Sequence, residues 1–378
     1  SWQVRRRAAA QRWRGATRGV AFGALGVGAV AFGVLFHNTN RVNRWKSSTT
    51  VRHEKANYEK AYKALSRLPQ PRLIAADVRA DLVPERLSFG VSGTFTYVNN
   101  HAAPIDSLLV VMMNREVLVD SLAWGRTTTA LVEDSLQDVR LYRLDVPLAP
   151  NDTITLRYRG HYDWRGFPSA GPDTSTATLT VRNAIAANGT FLNFEYFPFL
   201  GYLKWRELES DNARHKEQLA PQVRAAPLEN EQARDKTYLG INADWIRFRA
   251  TVSTAPDQIA IAPGELVREY RENGRRVFEY QATDKMLAFF SFLSARYAVK
   301  RDQWNGIPLD IYYHEGHEFN LDRMVASMRA SLQDFSTRYS PFQFKQFRIV
   351  EFPRYSQFAQ AFPATIPFSE NIGFILRA

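Results

Sequence analysis

The chain has 378 residues, 45% hydrophobic and 23% charged, enough for two or three domains with buried cores and too apolar for a disordered tail. It contains no cysteine, which excludes disulfide scaffolds, Cys-ligated zinc, thiol nucleophiles and iron–sulfur clusters. The net charge of +11 is concentrated: residues 1–68 hold fourteen Lys and Arg against two Glu, so the remainder is close to neutral and no nucleic-acid partner is expected. Opening on Ser-Trp-Gln and stopping just after an apolar run, the chain reads as a piece of a longer protein.

Residues 1–18 form a basic segment with six arginines, Arg5, Arg6, Arg7, Arg12, Arg14 and Arg18. Residues 19–36, GVAFGALGVGAVAFGVLF, carry no charge, and at 1.5 Å per residue they span about 27 Å, close to a hydrocarbon core. This predicts a transmembrane helix, with Gly19-x-x-x-Gly23 as a face that a partner helix can approach closely. A cleaved signal peptide fits less well because no small-x-small site ends the run, and a buried soluble helix is the other alternative. The arginines lie on one side, so the positive-inside bias puts the N-terminus in the cytoplasm and residues after 36 outside the inner or plasma membrane.

Residues 37–71 are polar and periodic, with Val51, Ala56, Tyr58, Tyr62 and Leu65 among Lys, Arg and Glu, and end at Leu68-Pro69-Gln70-Pro71; a helical stalk is predicted. Residues 72–300 alternate as short strands bounded by Asn, Asp, Pro or Gly, which predicts an all-β saddle or sandwich domain. Within it lie a Gly- and Pro-rich loop at 166–178 and a long polar insertion at 207–236. Residues 301–378 change rhythm: IPLDIYYH as a strand, an amphipathic helix from Asn320 or Asp322 with apolar residues at 321, 324, 325, 328 and 332, FKQFRIVEFP as a strand, and FSENIGFIL as a last apolar strand. That β-α-β order predicts the beginning of an α/β domain.

The most conspicuous local cluster is His314-Glu315-Gly316-His317-Glu318. A zinc helix places two His four apart with a Glu between them, H-E-x-x-H; here the spacing is three, and a Gly interrupts it. On a strand, positions i and i+3 face opposite sides, so joint ligation is not expected and the segment reads as a solvated turn at a strand end. Neither a Ser-His-Asp order nor a Gly-rich phosphate loop occurs, and Asn188-Gly189-Thr190 matches the short glycosylation sequon.

Phe347 to Phe374, FRIVEFPRYSQFAQAFPATIPFSENIGF, preceded by Tyr312-Tyr313-His314 and Asn320-Leu321-Asp322-Arg323-Met324, resembles the start of the catalytic domain of aminopeptidase N-like zinc metallopeptidases, the gluzincins, in the variety fused behind an ABC transporter permease. The resemblance implies a β-saddle domain followed by a thermolysin-like α/β domain, a peptide substrate, zinc in the full-length parent, and a transporter ATPase subunit as partner through the permease part. Pro367-Phe368-Ser369-Glu370-Asn371 stands where that family has Gly-Ala-Met-Glu-Asn, so Glu370 and Asn371 carry over as substrate-binding residues, Glu370 for the free α-amine, while the Gly-Ala-Met part does not. The family's H-E-x-x-H and its later Glu have no match within 1–378, so this chain is expected to hold no catalytic residue, bind no metal and be inactive alone. Two classes of function stay open: a tethered zinc peptidase, and a non-catalytic extracytoplasmic module that binds peptides or partners.

Overall fold

The computed structural model describes residues 2–12, 15–42, 46–166, 184–222, 226–227, 229–231, 244–353 and 358–375. Most of the loop expected at 166–178 lies outside them, as do residues 223–225, 228 and 232–236 of the polar insertion. The chain divides into two compact units, Ser1–Val51 with Arg165–Thr174, and Arg52–Trp164 with Ser175–Ala378.

In the first unit a helix at Trp2–Arg12 precedes the apolar helix Ala16–Phe36, which runs on as a π-helix, His37–Val42. Asn38, Thr39 and Asn40 turn their side chains back to the carbonyls of Val34, Leu35 and Phe36 at 3.0, 2.8 and 3.2 Å, so the polar residues after the apolar run bond back onto its last turn. Ala16–Val42 is long and apolar enough to cross a membrane and none of its apolar stretch is buried, which makes it a candidate anchor or signal segment.

The expected stalk, which crosses the division between the units at Val51/Arg52, is not one helix. An α-helix, Ser48–Tyr62, starts where the Ser47 Oγ accepts from the Thr50 N–H at 3.1 Å, and a 3-10 turn follows at Lys63–Arg67. Nor does this segment stand clear of the β region: Tyr58 and Tyr62 are buried with Leu109, Val111, Val139 and Leu203. The polar insertion is tied to the same helix through Arg214, whose guanidinium bonds both carboxylate oxygens of Glu59 at 2.8 and 2.7 Å.

An eight-stranded sheet orders β13 (Glu265–Glu272), β14 (Arg275–Gln281), β11 (Trp245–Thr254), β1 (Arg72–Val83), β2 (Ser88–Val98), β7 (Thr153–Tyr162) and β4 (Leu118–Trp124), with β15 (Met286–Leu287) also on β11. A second sheet runs β10 (Pro198–Leu200), β3 (Ile105–Met112), β6 (Val139–Leu148), β5 (Thr128–Asp134), and a third β12 (Ile259–Ile261), β16 (Ser291–Ala295), β9 (Gly189–Asn193), β8 (Ile185–Ala186). Alternation is clean in β7, whose Ile154, Leu156, Tyr158 and Tyr162 are buried in the main core, whereas β9 and β16 are buried at every position, on both faces. Thr190 of the sequon lies inside β9, fully buried, and the Asn188 Oδ1 accepts from the Arg296 N–H at 2.8 Å.

The fourth sheet, β17 (Tyr297–Trp304), β18 (Ile307–His314), β19 (Phe347–Phe352), β20 (Thr365–Ser369), positions the site. Its β17 straddles the expected boundary at 300/301. The pairs β18–β19 and β19–β20 are parallel, and the helix Leu321–Arg338 makes the crossover between β18 and β19. Strand period sorts the two faces: Leu309, Ile311, Phe347 and Ile349 meet Leu321, Val325, Met328 and Leu332 of that helix, while Val350 and Phe352 meet Phe191, Ile261 and Leu293 of the third sheet. The expected final strand FSENIGFIL is corrected to a strand ending at Ser369 and a helix Glu370–Ile375. The ladder stops because the Ser369 partner, Phe352, is the last residue of β19, and the Asn371 N–H turns to the Ser369 Oγ at 3.3 Å.

Candidate functional site

The C-terminal ends of three neighbouring parallel strands deliver His314 from β18, Glu351 from β19 and Glu370 just past β20 to one place. Strand C-termini are where open parallel sheets expose side chains without a crossing backbone, and so where ligands are commonly held. His317 joins them by a turn. Its N–H donates to the His314 carbonyl at 3.0 Å, and Gly316 sits at φ +91° in the third position, which only glycine adopts without strain.

That turn corrects the strand-face argument. Strand alternation ends at His314, and i and i+3 of a tight turn approach each other, so both rings meet the same carboxylate. His314 Nδ1 lies 3.1 Å from Glu351 Oε2, and His317 Nδ1 lies 2.7 Å from Oε1. The His314 backbone N–H donates to Oε2 at 2.6 Å, and His314 Nε2 donates to the Asn188 carbonyl at 3.1 Å. Ligand atoms of His314, His317, Glu351 and Glu370 all lie within 4.8 Å of one another.

Glu351 is 2% exposed. Burial opposes its charge, but the bonds from the His314 ring and backbone and from His317 outweigh that and hold its pKa below the ordinary carboxylate value. For His314 burial favours the neutral ring, and the Glu351 carboxylate, the Asn188 carbonyl and Glu370 together push its pKa up. The cluster is therefore an acid-rich, partly enclosed basin in which positive charge is stabilised. Around it Phe319 and Phe374 pack on the His317 ring at 5.8 and 4.9 Å between centroids.

Of the residues singled out from sequence, Glu370 is half-buried inside this cluster, and Asn371 is buried behind it. Glu351 was missed. A single acid at the end of the apolar run FRIVEF on an inward register position was its only signal.

No family model and no curated protein matches the chain. Among solved structures it is similar in fold to a two-domain M1 zinc metallopeptidase variant bound to L-arginine, with 12% identity, a TM-score of 0.52, and coverage of 80% of this chain and 61% of that one. It is likewise similar to the M1 zinc metallopeptidase from Deinococcus radiodurans, with 13% identity, a TM-score of 0.51, and coverage of 79% and 60%. A variant of the latter bound to a Tyr-Ser-Ala substrate gives 12% identity and a TM-score of 0.50, with the same coverage. The chain thus has a peptidase-like fold and spans about three fifths of the length of these neighbours. The H-E-x-x-H signature does not occur in its 378 residues, so the side chains present do not fit the zinc motif expected of such an enzyme.

Proposed function

We propose that the chain is the anchored front part of a zinc aminopeptidase of the M1 kind, carried behind an ABC transporter permease, in which Glu370 holds the free amine of a peptide. The observation that carries this reading is the position of Glu370 and Asn371 at the C-terminal end of β20, the end strand of a parallel trio, in a chain whose fold is M1-like. There a carboxylate faces a basin that already stabilises cations, which suits an ammonium group. Charge-assisted hydrogen bonds of this type contribute about 1.5–3 kcal/mol. Asn371, buried one residue on, fixes the strand-to-helix corner from which Glu370 projects. The reading places the zinc motif after residue 378, in the thermolysin-like domain that 301–378 would open. The helix 16–42 would be the last membrane span of the permease, with the basic segment cytoplasmic and the peptidase region outside, and a transporter ATPase subunit as partner.

The test is the parent protein with Glu370→Gln. Its kcat/KM for free-amine peptides should fall roughly ten- to a hundredfold with folding unchanged, and N-acetylation of the substrate should reproduce that loss in the unchanged enzyme. N-acetylated peptides cleaved as fast as free ones would remove Glu370 as the amine anchor. A parent that hydrolyses neither would favour the second reading, a peptide- or partner-binding module of the transporter. Added protease should reach the body in intact spheroplasts; protection until lysis would overturn the orientation.

A further inference from the structure

His314 Nε2 faces the Asn188 carbonyl at 3.1 Å, and a carbonyl can only accept, so that nitrogen carries a proton. In the neutral ring Nδ1 is then a lone pair, yet it is held 3.1 Å from a carboxylate oxygen of Glu351. Two acceptors at that distance need something positive between them, a proton or a metal ion. The surroundings are those of a metal ligand: the ring's far N–H is fixed by a backbone carbonyl, which sets the tautomer and aims Nδ1 into the site. A second Nδ1, from His317, and a second carboxylate, Glu370, complete the set, all ligand atoms lying within 4.8 Å of one another.

We propose that His314 Nδ1, His317 Nδ1, Glu351 and Glu370 form a binding site for one divalent transition-metal ion of the zinc class, built from three strand ends and a glycine turn and separate in sequence from any H-E-x-x-H motif. Two imidazoles and two carboxylates suit tetrahedral Zn²⁺ or Co²⁺, with metal–ligand distances of about 2.0–2.2 Å, and suit Mg²⁺ and Ca²⁺ poorly because those ions prefer all-oxygen shells. The side chains of His314 and His317 are 12% and 20% exposed, which leaves an entry from the His317 side. The site does not depend on the peptidase reading. Glu370 belongs to both, so an ion here and a substrate ammonium there exclude each other.

The experiment uses the whole 378-residue chain in detergent, stripped with chelator and titrated with ZnCl2 and separately with CoCl2. One equivalent should bind, Co²⁺ should give the intense visible absorption of a four-coordinate site, and Mg²⁺ should not compete. His317→Ala removes a partly exposed ligand without emptying the core and should weaken binding by more than about a hundredfold, beyond the 10–100-fold typical of outer-shell losses. Glu370→Gln should weaken it as well, while His161→Ala, on β7 where the ring pairs with Asp120 of β4, should leave it unchanged. Sub-stoichiometric metal, or equal affinity in His317→Ala with an unchanged circular-dichroism spectrum, overturns the proposal. Because His317→Ala keeps Glu370, loss of metal with retained preference for free-amine substrates in the parent separates this site from the amine anchor.

Discussion

Glu59 and Glu351 are almost equally buried, at 1% and 2% exposure, and both have pKa values below the ordinary carboxylate range although burial alone would raise them. What neutralises them differs. Around Glu59 the cations are permanent: the Arg214 fork takes both oxygens, Lys63 adds a third bond at 2.5 Å, and two further guanidinium protons go to the Leu208 and Ala220 carbonyls at 2.7 and 2.6 Å. Around Glu351 the donors are two imidazoles and one backbone N–H. A guanidinium keeps its protons and ligates no metal, whereas a neutral imidazole has a lone pair that can take a metal ion in place of a proton. The first arrangement fastens the helix Ser48–Tyr62 to the polar insertion, and the second leaves a place that a cation can enter.

The comparison is broken most severely at Arg214. Arg214→Ala leaves Glu59 charged and buried without its fork, and should cost about 3–5 kcal/mol in chemical denaturation, while Arg214→Met with Glu59→Leu should recover most of it. A small effect of the single change would mean that this region is not held by the pair.

A third buried carboxylate sharpens the contrast. Glu195 is 6% exposed, and burial raises its pKa to about 7, opposed only in part by a hydrogen bond from Asn193. Its folded pKa exceeds the unfolded value of 4.5, so the folded state binds more protons between them. Stability from this group is complete below pH 4.5 and is lost as pH rises through about 7, by about 3 kcal/mol for a shift of this size. Glu59 has the opposite sign: its pKa is lowered from 4.5, so its contribution is present above that value and disappears as pH falls further. Difference profiles of Glu195→Gln and Glu59→Gln against the unchanged protein should slope oppositely; parallel profiles would refute the assignment.

At the strand-end cluster the expected stability effects are smaller. Glu351→Gln keeps the shape but deprives two rings and the His314 N–H of a charged acceptor, and should cost about 1–3 kcal/mol by thermal or chemical unfolding. Gly316→Ala forces a Cβ onto a residue at φ +91° and should cost about 1 kcal/mol, with nothing within 4 Å to clash. Its larger effect should be on metal affinity, because the turn sets the distance between His314 and His317.

Much of the fold was legible one element at a time. The alternation of WIRFRATVST suits the strand Trp245–Thr254 that it forms, and the helix Leu321–Arg338 buries Leu321, Val325, Met328 and Leu332 as its period requires. The 3-10 and α-helical segments before Pro69 were also visible as a helical pattern, but their docking was not: nothing local to Tyr58 says that it will stack on Tyr202 at 5.1 Å and accept from the Leu203 N–H at 2.9 Å. The strand β13 is the harder kind to read locally, because ELVREYRE is charged and largely exposed.

The sequence by itself determined the apolar N-terminal helix, the strand-rich middle, the β-α-β close and the resemblance that singled out Glu370 and Asn371, because each of these is written in residues near one another along the chain. Only the tertiary structure decided that His314, His317, Glu351 and Glu370 share one basin. Their proximity depends on parallel pairing of β18, β19 and β20 through a crossover helix and on one glycine turn, and parallel register is fixed by packing on both sheet faces, not by local sequence.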